Sequence, residues 1–182
     1  VVALLVGWLA LPLRSIPATR IVPMRFPTAV SQGQLDAARW IRDHSGIEDL
    51  VMTNRHCITP RDPFSGCDSR RWLVTAFSER QLLVEGWTAT PRATRIAPHG
   101  RDSITVPYWK PDILRLNDDF IARPTAAAAE KLAGLGVRWV YADHTRPYAA
   151  TLEPFAVHRY SNADVDVYEL PAELDYTDLN PV

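Results

Sequence analysis

The sequence predicts a single α/β domain with a central mixed sheet of about five strands, flanking helices and a C-terminal β-hairpin. Helical and strand patterns alternate along the chain, as is typical of α/β folds. A helix-like segment ends in glycines and leads into the strand-like run VRWVYAD (137–143). Two strand-like runs near the C terminus flank the polar turn 161–164, which indicates a hairpin. With 182 residues and 47% hydrophobic content, the chain can bury one core.

The N-terminal residues 1–14 are predicted to be the remnant of a transmembrane helix. The apolar run VVALLVGWLALPL is shorter than the roughly 20 residues that span a bilayer. It also lacks the basic segment that opens a signal peptide. The alternative is a buried helix or strand of a self-contained domain. Residues 15–30 contain three prolines and predict an extended connector.

Three arginines, Arg14, Arg20 and Arg25, follow the apolar run. The positive-inside tendency would place this flank in the cytoplasm. Contact with anionic lipid headgroups of the outer leaflet would instead allow an extracytoplasmic position. The cysteine pair described below favours the second arrangement.

The domain proper is predicted over residues 31–171. Its first half is expected to contain a helix that Ser31 caps and Gly46 ends, a buried strand in DLVMTN (49–54), a helical turn near Thr75–Arg80 and a strand at Gln81–Glu85. Residues 88–111 are rich in proline, arginine and threonine and predict a long irregular loop.

The second half is easier to assign. It predicts helices over Pro111–Asn117 and Thr125–Leu135, the strand 137–143 and then the hairpin. Residues 172–182 form an acidic end that is expected to fray.

Cys57 and Cys67 close a loop that also contains two prolines and a glycine. In an oxidising compartment they would form a disulfide that stabilises the fold by roughly 3 kcal/mol. A zinc site using His56, Cys57, Cys67 and Asp68 lacks the usual C-x₂-C spacing. A nucleophilic Cys57 that the neighbouring His56 activates is disfavoured, because the side chains of adjacent residues rarely point at each other. The sequence therefore predicts a disulfide.

The remaining composition excludes several classes of function. The net charge of −1 argues against a nucleic-acid-binding protein. His44, His99, His144 and His158 are scattered singly and predict no metal site. No motif predicts a cofactor or a catalytic residue.

Arginines, carboxylates and aromatic residues around the cysteine loop are the candidate ligand contacts. Arginines bind anions with bidentate geometry, carboxylates accept hydrogen bonds from sugar hydroxyls, and flat aromatic rings stack on sugar rings. The alternatives are an internal salt-bridge network for the charged residues and core packing for the aromatic ones. The candidates are Arg55, Arg70, Arg71 and Arg80 as anion contacts, Glu79 and Glu85 as hydroxyl acceptors, and Trp72, Trp87, Tyr108 and Trp109 as stacking surfaces.

The segments AARWIRDH, DLVMTN, TAFSERQLLVEGW, AAAAEKLAGLGVRWVYAD and FAVHRYSNADVDVYEL occur in this order within residues 31–170. Together they resemble the extracytoplasmic C-terminal domain of actinobacterial polytopic membrane proteins. Those proteins look like relatives of the GT-C-fold glycosyltransferases, which use polyprenyl-phosphate sugars.

The resemblance implies an extracytoplasmic accessory domain at the cell membrane, held there by the upstream part of its parent chain. It would help to bind a cell-envelope glycan acceptor or a lipid-phosphate sugar carrier. The domain alone would be inactive, because the catalytic acid of GT-C enzymes is expected on an earlier loop. One alternative is a purely structural or protein-interaction domain. Another is a stand-alone hydrolase, which requires Glu79, Glu85 and a nucleophile together in a cleft.

Overall fold

The computed structural model describes residues 30–58, 63–97, 103–149 and 152–171. The predicted transmembrane remnant (1–14), nearly all of the predicted connector (15–29) and the predicted frayed tail (172–182) lie outside the described residues. Within the described ranges, no helix is both long enough and apolar enough to cross a bilayer.

Along the described segments, one helix and one strand are followed by four helices and then by three strands. The helices are α1 (Gln32–His44), α2 (Leu73–Ser78), α3 (Pro91–Ile96), α4 (Pro111–Ala122) and α5 (Ala126–Gly134). The strands are β1 (Leu50–Thr53), β2 (Val137–Asp143), β3 (Val157–Ser161) and β4 (Val165–Glu169). Short 3-10 turns lie at Pro63–Ser65 and Ser103–Thr105.

The four strands form one mixed sheet in the order β1-β2-β4-β3. β1 and β2 are parallel, and Val51 is paired with Trp139. β4 is antiparallel to both of its neighbours, and Tyr141 of β2 is paired with Val167. The mixed α/β class and the C-terminal hairpin are therefore confirmed.

The prediction of about five strands is wrong by one, because Gln81–Glu85 does not form a strand. This segment pairs with β1 only at Leu82, through an isolated parallel bridge to Val51. Val51 donates its N–H to the Gln81 carbonyl, and Leu83 donates to the Val51 carbonyl. Beyond Leu83 the chain turns away, since the Glu85 side chain binds the start of α2.

Helices cover both faces of the sheet. One core contains Met52, Val140 and Tyr168 with residues of α4 and α5. The other contains Val51, Tyr141 and Val167 with residues of α1 and α2. Neighbouring residues of a strand point to opposite faces, so each inner strand contributes to both cores. β2, which lies between β1 and β4, is buried along nearly all of its length.

The starts of α1 and α5 follow the sequence signals, whereas the extent of α4 does not. Ser31 caps α1 in a capping box with Gln34, and Thr125 caps α5, as predicted. Helix α4 continues to Ala122 instead of ending at Asn117, because the apolar face continues through Phe120 and Ile121.

The segment 88–111 is not a single irregular loop. It contains α3, which Thr90 caps through a hydrogen bond from Ala93, and the 3-10 turn Ser103–Thr105. Residues 98–102 of this segment lie outside the described residues. Proline disfavours the interior of a helix, but Pro91 is the first residue of α3, where its missing N–H costs nothing.

Candidate functional site

Strands β1 and β2 end side by side, and the carboxylate of Asp143 lies fully buried at this edge. Gln34 Nε2 donates to Asp143 Oδ2 over 2.7 Å, and Arg55 Nη1 donates to the same oxygen over 3.1 Å. Thr145 donates its backbone N–H and its hydroxyl to Oδ1. A buried carboxylate is tolerated when donors surround it in this way. Asp143 therefore joins α1 to the ends of both parallel strands.

A second arginine reaches the same carboxylate. Arg71 Nη2 lies 3.6 Å from Asp143 Oδ2 and 3.4 Å from Gln34 Oε1. Burial lowers the pKa of the Arg71 guanidinium, and the neighbouring charge of Arg55 lowers it further. Two of the predicted anion contacts, Arg55 and Arg71, thus share one internal acid. Of the two, Arg55 is the more exposed, with 15% of its side chain accessible.

Asn54 locks the two strand ends together. Its Oδ1 accepts from the backbone N–H of Asp143 over 2.9 Å. Its Nδ2 donates to the carbonyls of Asp143 and Pro147. All of these contacts are made by one amide side chain, so the loops that follow β1 and β2 hold a fixed spacing.

A surface pocket with a volume of about 200 Å³ opens beside this edge. The polar residues that line it are Asn54, His56, Asp118, Asp119 and Arg146, and the remaining wall is formed by Cys57, Pro63, Ala122 and Pro147. Burial lowers the pKa of Arg146, and the nearby Arg55 lowers it further. The pocket thus combines carboxylate acceptors with an arginine donor.

A buried hydrogen-bond network supports one wall of the pocket. His56 Nε2 lies 2.8 Å from Asp118 Oδ1, and Asn117 Nδ2 donates to the same oxygen over 2.9 Å. Asn117 also donates to the carbonyl of Thr53, which ties α4 to the end of β1. These contacts fix the orientation of the Asp118 carboxylate.

Asn117 and Asp118 are not among the candidates predicted from the sequence, although one signal for them was present. Asn117 interrupts the apolar stripe Leu114, Phe120 and Ile121 of α4, and it is fully buried. A buried polar residue on an apolar helix face must find partners, and those partners mark a polar site. The signal does not reveal which partners they are.

The two predicted hydroxyl acceptors lie at opposite ends of the six-residue helix α2. Glu85 is buried and accepts from the backbone N–H of Val74 and from the N–H and hydroxyl of Thr75. Burial raises the pKa of Glu85, and these hydrogen bonds oppose that effect. Glu79 is exposed and ends α2 with a left-handed backbone, φ 56°. The structure therefore does not bring the two carboxylates together in a cleft.

Arg80 and Arg70 lie apart from the pocket-lining residues. The Arg80 guanidinium donates to the carbonyls of Arg42, Ser45 and Ser78, among others, and so closes the C-terminal end of α1. Arg70 is exposed and makes a bidentate contact with Asp68. Arg80 therefore has a structural position, and Arg70 is engaged with a neighbouring acid.

The predicted stacking residues divide between core and surface. Trp87 is buried, and its indole donates to the Val106 carbonyl. The Tyr108 ring lies 5.1 Å from the Trp87 ring and 4.9 Å from the Trp109 ring. Tyr108 and Trp109 are half-buried. Trp72 is 41% exposed and donates to the Gly86 carbonyl. Trp87 is thus a core residue, whereas the other three present part of a ring to solvent.

Cys57 and Cys67 form a disulfide, as predicted, with their Cα atoms 5.9 Å apart. Both are buried in a small core with Val84, Trp87 and Leu114. Because Cys57 also lines the pocket, the disulfide fixes part of its wall. The bond removes both thiols from the zinc and nucleophile alternatives.

Among the described residues, no group of three or more histidine, cysteine, aspartate or glutamate side chains is arranged to hold a metal ion. No known protein family matches the chain, and no significant match was found among curated proteins or solved structures.

Proposed function

We propose that this chain is a non-catalytic, ligand-binding domain on the extracytoplasmic side of a membrane glycosyltransferase-like protein. Its ligand is a cell-envelope glycan acceptor or the phosphate sugar of a polyprenyl carrier. The observation that carries the proposal is the pocket beside the ends of β1 and β2. In α/β sheets, ligands bind preferentially outside the carboxyl ends of the strands.

The chemistry of the pocket suits a saccharide. Sugar hydroxyls donate and accept hydrogen bonds, so a sugar site needs groups of both kinds. Asp118 supplies an acceptor and Arg146 supplies donors, while Ala122 and Pro147 add apolar surface. Arg55 lies at the same edge but does not line the pocket, and its guanidinium is bound to Asp143.

Two further features support the location and the parent class. The Cys57–Cys67 disulfide fits an oxidising compartment outside the cytoplasm. The resemblance of residues 31–170 to the domains of GT-C-like membrane proteins supports a parent of that class. On this proposal the upstream part of the parent chain provides the membrane attachment.

A stand-alone hydrolase is less well supported. That function requires Glu79, Glu85 and a nucleophile in one cleft, whereas Glu85 is occupied by the first turn of α2 and Glu79 lies at its far end. The structure thus offers this pair no shared substrate position. A purely structural domain remains the alternative, and it predicts no glycan binding.

The test is an NMR titration of the full 182-residue chain in detergent micelles. The ligands are a panel of cell-envelope oligosaccharides and a short-chain polyprenyl phosphate sugar. Binding should shift the backbone amides of His56, Asp118 and Arg146 and leave those of the hairpin β3–β4 unchanged. Arg146→Ala should weaken binding about tenfold or more, because it removes a charged donor.

Arg115→Ala is the matched control, since Arg115 is an exposed arginine of α4 that does not line the pocket. Its affinity should equal that of the unaltered chain. Absence of binding by every member of the panel would overturn the proposal and favour a purely structural domain.

A further inference from the structure

The Asp118 carboxylate has one oxygen committed and one available. Oδ1 accepts from Asn117 Nδ2 and lies 2.8 Å from His56 Nε2, and both of these supporting side chains are almost completely buried. Oδ2 has no hydrogen-bond partner among the described residues, and the side chain is 26% exposed at the pocket. A carboxylate oxygen accepts hydrogen bonds and donates none. The pocket therefore presents a fixed acceptor to a ligand.

The network behind Asp118 contains two buried polar atoms that a ligand cannot reach. Neither His56 Nδ1 nor Asn117 Oδ1 has a partner within the described part of the chain, and both atoms are buried. Since both atoms are buried, a ligand meets this network at Asp118 Oδ2. This oxygen is an acceptor and thus favours a group that brings a proton.

The charges that line the pocket point the same way. Asp118 and Asp119 contribute two carboxylates against one guanidinium, that of Arg146. Asp119 is already ion-paired with Arg123, so Asp118 is the acceptor that a ligand meets at this wall. A phosphate dianion brings only acceptor oxygens and more negative charge, so it meets repulsion at Asp118. A sugar hydroxyl can donate to Asp118 Oδ2, and a neighbouring hydroxyl can accept from an arginine.

From these relations we infer that the pocket selects neighbouring hydroxyl groups of a neutral sugar and excludes phosphate, with Asp118 as the specificity-determining acceptor. The inference rests on the proposed function and narrows it. Of the two proposed ligand types, the glycan acceptor occupies this pocket, and the phosphate of a lipid carrier does not.

The test compares three probes by NMR titration of the full chain in micelles: a series of neutral methyl glycosides, glucose 1-phosphate and inorganic phosphate. At least one methyl glycoside should shift the amides of His56 and Asp118, and inorganic phosphate should shift neither. Glucose 1-phosphate should bind more weakly than methyl glucoside. The phosphate comparison uses the unaltered protein, so it does not depend on the folding of any variant.

Asp118→Asn replaces an acceptor with a donor at nearly constant size. It should weaken glycoside binding about tenfold or more. Asp112→Asn is the matched control on the same helix, since Asp112 is 91% exposed and does not line the pocket. Its glycoside affinity should be unchanged. Amide spectra of both variants report whether they remain folded.

The outcomes separate the inference from the proposed function. Binding of inorganic phosphate at Asp118 and Arg146 without glycoside binding would overturn the inference and leave a phosphate-binding domain. Glycoside shifts that map to Tyr108 and Trp109 and survive Asp118→Asn would also overturn it, while glycan binding would stand. Absence of binding by all probes and by the oligosaccharide panel would remove both.

Discussion

Asp143 Oδ2 and Arg55 Nη1 lie 3.1 Å apart at the edge where the two parallel strands end. The Asp143 side chain is fully buried, and Arg71 approaches the same oxygen from a second direction. One internal carboxylate thus balances two arginines that come from different loops. The position of the pocket depends on this arrangement, because Asp143, Asn54 and Arg55 hold the loops after β1 and β2.

Asp143→Ala should destabilise the domain by about 3–5 kcal/mol, because it leaves buried positive charge without a partner. The measurement is the free energy of unfolding from urea denaturation. Asp119→Ala is the control, because Asp119 is 61% exposed and its ion pair with Arg123 is on the surface. That change should cost less than about 1 kcal/mol. Equal losses for the two variants would contradict the role given to Asp143.

Glu85 should make stability depend on pH. Burial raises the pKa of Glu85 in the folded chain, so the folded state holds this proton at pH values where the unfolded state has lost it. The contribution of Glu85 to the free energy of unfolding should therefore fall as the pH rises from about 4 through the raised pKa. Above that pKa the loss is complete.

Glu85→Gln removes this titration. The unfolding free energy of the unaltered chain minus that of Glu85→Gln should therefore fall as the pH rises through that window. Urea denaturation at several pH values between about 4 and 7 measures it. A difference that is constant with pH would contradict the raised pKa.

The disulfide should stabilise the folded state and resist reduction. Its loop is closed by residues ten apart in sequence, which corresponds to a loop-closure contribution of about 3 kcal/mol. Replacing both Cys57 and Cys67 by serine should lower the free energy of unfolding by about that amount. Both residues are buried, so dithiothreitol should reduce the native bond slowly and the urea-unfolded chain rapidly. Thiol titration over time compares the two rates, and similar rates would show that the bond is exposed.

Two glycine-to-alanine changes should have opposite signs. A Cβ at Gly86 would overlap the carbonyl oxygens of Ser69 and Arg71, which are backbone atoms and cannot rotate away. Gly86→Ala should therefore cost about 3 kcal/mol. At Gly134, the last residue of α5, a Cβ meets nothing within 4 Å. Gly134→Ala should stabilise the domain by up to about 1 kcal/mol, because it restricts the unfolded chain. Thermal unfolding of the pair measures both effects, and a stable Gly86→Ala variant would contradict the packing described around residue 86.

The sequence alone determined those elements whose signals are local. Ser31 and Thr125 cap their helices with side chains that bond three residues ahead. The strand at Val137–Asp143 and the hairpin that follows have the residue types and turn that such elements require. The two cysteines were near enough in sequence to predict their bond.

Tertiary structure decided the rest, because the deciding contacts join residues far apart in sequence. Gln81–Glu85 has a strand-like pattern, yet Glu85 turns away to bind the first turn of α2. His56 and Asp118 are 62 residues apart, so no local period could pair them. Residue type shows that a side chain can bind an anion or a sugar. Whether it faces a pocket or an internal partner depends on how the strands and helices pack, and that packing placed Asp118 at the pocket and Glu85 in the core.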